Sequence, residues 1–243
     1  MKDHLLDIVK HTYALGIELV KITGTDSDTI LEAITEDRSV IVKAKFKDVI
    51  PEFIGQFGMP NLGKLNIILG IPEYREDAKL TIVTKNNNGV VSPIGVHLEN
   101  KAGDFKNDYR FMTADVVNDI LKTVRTLRAI KWHVDFTPSV LSIQKLRFQA
   151  GANSDETKFI AKTEGTDLKF FFGDHSSHAG DFVFQADITG KISKGWSWPV
   201  SSVMGILSLP GDKTYKISDE GASMITVDSG IAMYEYTLPA QTK

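Results

Sequence analysis

Two histidines in a polar segment have the spacing that best fits metal chemistry. His175 and His178 are three residues apart and lie between Asp174 and Asp181. Imidazole and carboxylate groups can bind a divalent cation, but a stable site needs three or four converging ligands, and no further ligand set is evident in the sequence. We therefore interpret this segment as a hairpin connection and predict no metal site.

Phosphate-binding and hydrolytic motifs are incomplete. The pair Gly190-Lys191 resembles the end of a phosphate loop, but Gln185 occupies the first glycine position and Ile192 replaces the hydroxyl residue. The chain contains no Gly-x-Ser-x-Gly and no His-Glu-x-x-His pattern, and its lack of cysteine excludes thiol chemistry. The sequence predicts a protein that is not an enzyme and uses no cofactor.

Length and composition indicate a folded protein of one or two domains. The chain has 243 residues, of which 42% are hydrophobic, with 28 Lys+Arg against 31 Asp+Glu. Its apolar runs are far shorter than the roughly 20 residues of a membrane span, and its first residues lack the apolar stretch of a secretion signal. We expect a cytoplasmic protein. A net charge of −3 argues against a uniformly basic surface but allows a locally basic one.

Short strands separated by polar turns dominate the pattern. Five segments in the first half are β-branched or alternate between apolar and polar residues, namely Gly16–Thr23, Thr29–Ile34, Val40–Phe46, Lys64–Ile71 and Lys79–Lys85. Helical segments are few. This combination predicts an α+β fold in which helices pack on antiparallel sheets.

An internal repeat relates the two halves of the chain. Val49–Pro60 matches Pro199–Pro210 at an offset of 150 residues, and both segments are interpreted as a short helix ended by proline and followed by a strand. The first helix of each half is matched separately, with Asp7–Lys10 over Asp119–Lys122 at an offset of 112. The repeat predicts two related domains, each with two helices.

The boundary between the halves falls in a polar, glycine-containing stretch. We predict an N-terminal domain at 1–108 with a connecting segment at about 100–112, and a C-terminal domain at 113–243. A helix is expected from Thr113, which is a suitable N-cap, with Asp115 in the first turn. Basic residues follow on its polar side and at its C-terminal end.

Three features together resemble the DNA polymerase sliding clamps, specifically the T4-like bacteriophage processivity clamps. The first is the duplicated half with two helices and many short strands. The second is Trp198–Ile217, where a short helix ends in Leu-Pro-Gly-Asp before a strand. The third is the aromatic strand and Pro/Ala tail at Met233–Ala240.

The resemblance implies a closed ring of six similar domains, and therefore a homotrimer of two-domain chains. Such a ring encircles duplex DNA without reading its sequence and tethers the replicative polymerase for processive synthesis. It also implies a separate ATP-driven clamp loader and, for a phage protein, a bacterial host. The basic residues expected to line the channel are Lys10, Lys122, Arg125, Arg128, Lys131, Lys191 and Lys194.

The same resemblance implies an apolar pocket that binds the C-terminal peptide tails of polymerase and loader. Its expected residues are Ile34, Val40, Ala222, Met224, Tyr236, Leu238 and Pro239. The alternating residues Tyr234, Tyr236 and Leu238 fit equally well one face of a strand that packs into the core. For the contact between subunits, the sequence suggests Leu168–Gly173 against Val90–His97.

Two other classes of protein fit the sequence pattern. A viral structural component, such as a tail or baseplate protein, would also combine short strands, polar turns and no active site. A single-strand-binding protein would use aromatic side chains such as Trp196 and Trp198 as stacking platforms, with strongly salt-dependent binding.

Overall fold

A computed structural model of the chain describes residues 1–87, 90–122, 129–174 and 178–241. The chain divides into two units. The first consists of Met1–Arg125 and Ser229–Tyr234, and the second of Thr126–Asp228 and Glu235–Lys243. The sequence placed the boundary earlier, between residues 108 and 113.

The first unit contains two antiparallel sheets. Its elements are α1 (Lys2–Thr12), β1 (Leu19–Gly24), β2 (Thr29–Ile34), β3 (Ile41–Phe46), β4 (Gly55–Pro60), α2 (Leu62–Leu69), β5 (Lys79–Asn87), β6 (Val90–Glu99), β7 (Lys106–Arg110), β8 (Met112–Thr113) and α3 (Ala114–Ile120). One sheet has the order β8-β4-β1-β2-β3, and β5-β6-β7 form the other.

The second unit is built from the same kinds of element. They are β9 (Val134–Phe136), α4 (Val140–Ala152), β10 (Lys158–Glu164), β11 (Asp167–Gly173), β12 (Ala179–Gln185), β13 (Trp196–Pro199), α5 (Val200–Ser208), β14 (Asp212–Ser218), β15 (Ala222–Asp228) and β16 (Ala232–Pro239). One sheet has the order β12-β11-β10-β13, and β16-β15-β14-β9 are neighbours in the other. The first three residues of β16 belong to the first unit.

Strict alternation along the strands creates the core of the first unit. On β1, Val20 and Ile22 are fully buried while Leu19, Lys21 and Thr23 are partly exposed, and β2 and β3 alternate in the same way. Buried residues of α1 and α2, including Leu5, Ile8 and Leu65, complete this apolar layer. Burial of side chains of this size contributes about 1.5–3 kcal/mol each, so each helix is held by its apolar face.

The predicted duplication is confirmed, with a different spacing. Leu19 and Lys158 begin β1 and β10, and Pro60 and Pro199 end β4 and β13, so the offset is 139 residues at both places. The sheet orders β4-β1-β2-β3 and β13-β10-β11-β12 also correspond. The offsets of 150 and 112 were wrong because each matched short similar sequences, with a shared proline at offset 150, rather than equivalent elements.

Two segments of the first unit have a different secondary structure from the one predicted, one a strand instead of a helix and the other a helix instead of a strand. Val49–Pro60, expected to begin with a helix, contains a single 3-10 turn at Pro51–Phe53 and then β4. Lys64–Ile71, expected to be a strand, lies largely in α2. An apolar run of this length fits either structure, and the helix forms because it buries Leu62, Leu65 and Ile68 at helical spacing.

The helix predicted from Thr113 forms as α3, but it packs on β4 of the first unit instead of beginning the second. Its Val117 is fully buried against Gly58, where an added Cβ would lie 2.8 Å from the Val117 Cγ2 atom. The Asn118 side-chain amide donates to Gln56 Oε1 at 2.6 Å. The first helix of the second repeat is α4, which begins after Ser139.

A buried polar cluster joins α1 to the segment Ser229–Tyr234. The carboxylate of Asp7 accepts hydrogen bonds through Oδ2 from the Tyr234 hydroxyl at 2.8 Å and from Ser229 Oγ at 3.0 Å. The His11 ring stacks on Tyr234 with centroids 4.6 Å apart, and its Nδ1 lies 3.2 Å from Asp7 Oδ1. The Lys47 amide also donates to Ile231 O at 3.0 Å. This late segment is therefore an integral part of the first unit.

We expect Asp7→Ala to lower the free energy of unfolding by about 2–4 kcal/mol, because the buried Tyr234 hydroxyl and the partly buried Ser229 hydroxyl lose their shared acceptor. Asp3→Ala, on the same helix but exposed, is the matched control and should change stability by less than about 0.5 kcal/mol. Urea unfolding followed by circular dichroism measures both. Equal stability of the two variants would show that the cluster contributes nothing.

Candidate nucleic-acid interface and partner site

Each unit presents two helices that pack against each other, α1 with α2 and α4 with α5. The sides of these helices that face inward are apolar, with Leu5, Leu65, Leu146 and Ile206 fully buried. The outward sides are therefore the surfaces on which charged residues can meet a ligand.

Three of these four helices, α1, α2 and α4, expose basic side chains, and α5 has no charged residue. No Asp or Glu occurs in α2, α4 or α5, and one of the two on α1, Asp7, is committed to the buried cluster. Four basic side chains are exposed on the helices, namely Lys10, Lys64, Lys145 and Arg147. A surface of this kind attracts phosphate groups without reading bases.

Three of these four residues were missed by sequence reasoning. Lys64 lies in the segment predicted as a strand, and Lys145 and Arg147 lie on α4, which was not recognised as a helix. The sequence did contain a signal for the start of α4, namely Ser139 directly after Pro138. Serine is a favoured N-cap residue, and the Ser139 side chain caps α4 by accepting a hydrogen bond from the Ser142 amide at 3.0 Å. The Arg147 guanidinium reaches toward α5 and donates to Ser208 Oγ at 3.4 Å.

Among the predicted lining residues, Lys10 lies exposed on α1, as expected. Lys122 follows α3 and forms an ion pair with Asp119. Three others are exposed outside the paired helices, with Lys131 before β9 and Lys191 and Lys194 between β12 and β13. Arg125 and Arg128 lie outside the described residues. A DNA contact by any of these residues stays a prediction.

The residues predicted for the peptide pocket differ in exposure. Three are buried core side chains, namely Val40, Tyr236 and Leu238. Ile34 on β2 and Ala222 and Met224 on β15 are half-buried, and Pro239 is exposed at the end of β16. The buried three cannot contact a bound peptide directly in this structure.

An apolar surface that the sequence reasoning did not select lies on α3. Val116 and Ile120 are four residues apart, and about half of each side chain is exposed, at 47% and 51%. Residues at this spacing lie on one side of a helix. Because Val117 anchors α3 to β4, the helix holds these two side chains outward in a fixed orientation.

Each unit also has a strand at the edge of a sheet. β7 ends the sheet β5-β6-β7, and β12 ends the sheet β12-β11-β10-β13. The predicted contact of Leu168–Gly173 with Val90–His97 was wrong, because these segments lie in β11 and β6, which pair on both sides within their own sheets. The edge strands of these two sheets include β7 and β12 instead, and on β12 the Asp181 carbonyl accepts from the Gln149 side-chain amide at 3.4 Å.

Neither a metal site nor a membrane span emerges from the described residues. Within them, no three His, Asp or Glu side chains converge as metal ligands, and no helix is long and apolar enough to cross a membrane. His175 lies outside the described residues.

Comparison with solved structures relates the whole chain to archaeal PCNA. A. fulgidus PCNA bound to the C-terminal region of FEN-1 superposes with a TM-score of 0.72 at 8% identity, over 100% of this chain and 97% of that one. PCNA from Thermococcus kodakaraensis gives 0.66 at 11% identity, over 98% and 97%. The PCNA2–PCNA3 complex of Sulfolobus tokodaii gives 0.65 at 10% identity, over 97% and 96%.

By sequence alone, no protein-family model and no curated protein matches this chain. The similarity to PCNA is therefore one of fold. The chain has the two-domain α+β fold of the PCNA-type sliding clamps, with antiparallel sheets and few helices, and the predicted fold class is confirmed.

Proposed function

We propose that this protein is a non-enzymatic DNA sliding clamp that encircles duplex DNA and tethers a replicative polymerase. The observation that supports this function most strongly is the clamp fold over the full chain, combined with paired helices that expose basic side chains and, apart from α1, contain no Asp or Glu. The function of a tail protein or of a single-strand-binding protein does not require this combination of fold and basic helices.

The proposed DNA contact is weak and independent of sequence. Exposed lysine and arginine side chains attract the phosphate backbone, which carries one charge per about 1.7 Å of helix axis. Retention then depends on the closed ring rather than on tight binding. Few and mobile basic side chains suit this task, since strong contacts would stop sliding.

A ring of three copies follows from two domains per chain. We assign the contact between copies to β7 of one chain and β12 of the next, a head-to-tail arrangement that can close. β7 exposes Lys106, Asp108 and Arg110, a net charge of +1, and β12 exposes Asp181, so the two edges have opposite net charge. Next to β12, α4 also exposes Phe148, whose apolar surface would be covered by the neighbouring copy.

Partner tails would bind the apolar surface that Val116 and Ile120 form on α3. A. fulgidus PCNA binds the C-terminal region of FEN-1, which supports recognition of a partner's C-terminal peptide here. Polymerase and an ATP-driven loader are the partners we propose. The sequence resemblance suggests a clamp of the T4-like phage type, which would act in a bacterial host.

Native mass spectrometry and a DNA-retention assay test the proposal. A trimer should appear at three times the chain mass of 26.9 kDa. After loading, the protein should stay on closed circular duplex DNA and be lost when the circle is cut once. A monomer that binds circular and linear DNA equally would contradict the proposed function.

A further inference from the structure

Strand β5 forms one edge of its sheet. Within the described residues it pairs with β6 alone, in an antiparallel register that joins Lys79 to Glu99 and Val83 to Gly95. The register shifts after Val83, so the regular part of this edge is 79–83. On the side away from β6, the backbone N–H and C=O groups of such a strand are able to pair with another extended chain.

The apolar face of β5 is incompletely covered. Leu80 and Ile82 pair with Leu98 and Val96 of β6, so the four side chains lie on the same face of the sheet. Leu98 and Val96 are 0% and 1% exposed, whereas Leu80 and Ile82 remain half-buried. Burial therefore decreases from β6 toward the β5 edge, and a further strand beside β5 would cover both side chains.

The second unit shows what lies on the equivalent edge. Helices α2 and α5 are each followed along the chain by three neighbouring strands, β5-β6-β7 and β14-β15-β16, which makes β14 the counterpart of β5. On the other side of β14 lies β9, where Phe136 pairs with Tyr215 and Val134 with Ile217. Tyr215 and Ile217 are fully buried. A short added strand thus completes the apolar face that β5 leaves half open.

The side chains of β9 indicate which kind of segment covers such an edge. Val134 is buried, and the Phe136 ring contacts the Tyr215 ring with centroids 5.5 Å apart. Asp135 lies between them on the opposite face, where its carboxylate pairs with Lys216 at 3.2 Å. The covering strand is therefore short, with apolar residues at alternate positions and a polar residue between them.

Charge argues against a second copy of β5 as the covering strand. β5 carries Lys79 and Lys85 and no carboxylate, and both lysines are exposed. In a symmetric antiparallel pair, Lys79 of one copy would approach Lys85 of the other, and facing like charges destabilise a strand pair. The carboxylate opposite Lys79, that of Glu99, is paired with Lys106 at 3.2 Å. The fitting occupant is a strand of different sequence.

We infer that the β5 edge is a docking site for an extended segment of a partner protein with apolar residues at alternate positions. The segment would add a strand to the sheet β5-β6-β7, as β9 does on β14. Main-chain hydrogen bonds would supply affinity, and apolar contacts with Leu80 and Ile82 would supply specificity. This edge is separate from α3, β7 and β12, so the inference does not depend on the ring.

Backbone amide NMR tests the inference with a peptide that has the sequence of residues 132–137 of this chain, which includes β9. We expect saturable shifts of the amide signals of residues 79–83 at millimolar peptide, since a peptide this short loses much conformational entropy when it is ordered. A second peptide with Val134→Asn and Phe136→Asn keeps Asp135 and should not bind.

Ile82→Thr should weaken binding of the first peptide by about threefold or more, because it removes apolar surface that the peptide covers. The matched control is Ile41→Thr, which makes the same change at a half-buried residue of β3 and should leave peptide affinity unchanged. Three results would overturn the inference: signals of residues 79–83 that do not move, a response confined to β14 because the peptide displaces β9, or equal affinities of the two variants. Well-dispersed amide spectra of the free variants establish that each is folded.

A covalent form of the test does not depend on peptide affinity. Placing a copy of residues 131–138 before Met1 leaves three residues between the added Phe136 and α1, as there are between Phe136 and α4. We expect hydrogen exchange of the β5 amides that face away from β6 to slow by about tenfold or more, and added peptide to give no response. The control extension carries Val134→Asn and Phe136→Asn, and equal exchange rates in the two extended chains would also overturn the inference.

Discussion

Phe148→Asp is expected to convert the proposed trimer into monomers. Phe148 is 73% exposed on α4, although it is one of the largest apolar side chains of the protein, and Leu141 on the same helix is 59% exposed. A carboxylate at this position would be desolvated in each of three contacts. Loss of a buried aromatic anchor typically costs about 2–4 kcal/mol per interface, which lowers each association constant by roughly 30- to 1000-fold.

Native mass measurement at micromolar protein should then detect 26.9 kDa chains for Phe148→Asp and the trimer for the wild type. The control is Ile54→Asp, which introduces the same charge at an exposed apolar residue of the first unit and should remain trimeric. If Phe148→Asp remains trimeric, the assignment of the α4 surface to the subunit contact is wrong.

The double variant Lys145→Glu/Arg147→Glu is expected to reduce affinity for duplex DNA by at least about tenfold at moderate salt. Each reversal replaces an attractive phosphate contact with a repulsive one, and the effect is repeated in every copy of the ring. The plot of log affinity against log salt concentration should also become less steep, because fewer counterions are released.

The control for this variant is Lys43→Glu/Lys45→Glu, which makes the same change in charge on β3, away from the paired helices. Fluorescence anisotropy with a labelled duplex gives the affinities, and native mass confirms that both variants remain trimeric. Equal affinities of the two variants would remove α4 from the proposed DNA interface.

Much of the strand pattern could be predicted from the sequence, because alternation on β1, β2 and β3 is strict. The helix α4 could not. Val140, Leu141 and Phe148 are exposed together with Lys145 and Arg147, so apolar and polar residues mix on the outer side and the helix lacks the separated faces that identify an amphipathic segment. If neighbouring copies cover these residues, as we propose, then the pattern of α4 is set by an assembly that a single chain does not contain.

The predicted peptide pocket shows a second limit. Tyr236 and Leu238 alternate along β16 as residues of one face do, but the sequence does not determine which face is buried. In the folded protein, the sheet places the Tyr236 and Leu238 side chains on its buried face, in the core. Exposed apolar residues such as Val116 and Ile120 were overlooked because α3 was interpreted as an ordinary amphipathic helix of the second domain.

The segment Ser229–Tyr234 has a consequence for synthesis of the protein. Asp7 emerges from the ribosome early, while the hydroxyl groups that it binds are translated more than 200 residues later. The N-terminal unit therefore cannot reach its final structure while the nascent chain is still short. Until translation passes Tyr234, helix α1 has an acidic side chain without its eventual donors, and folding of this unit is completed late.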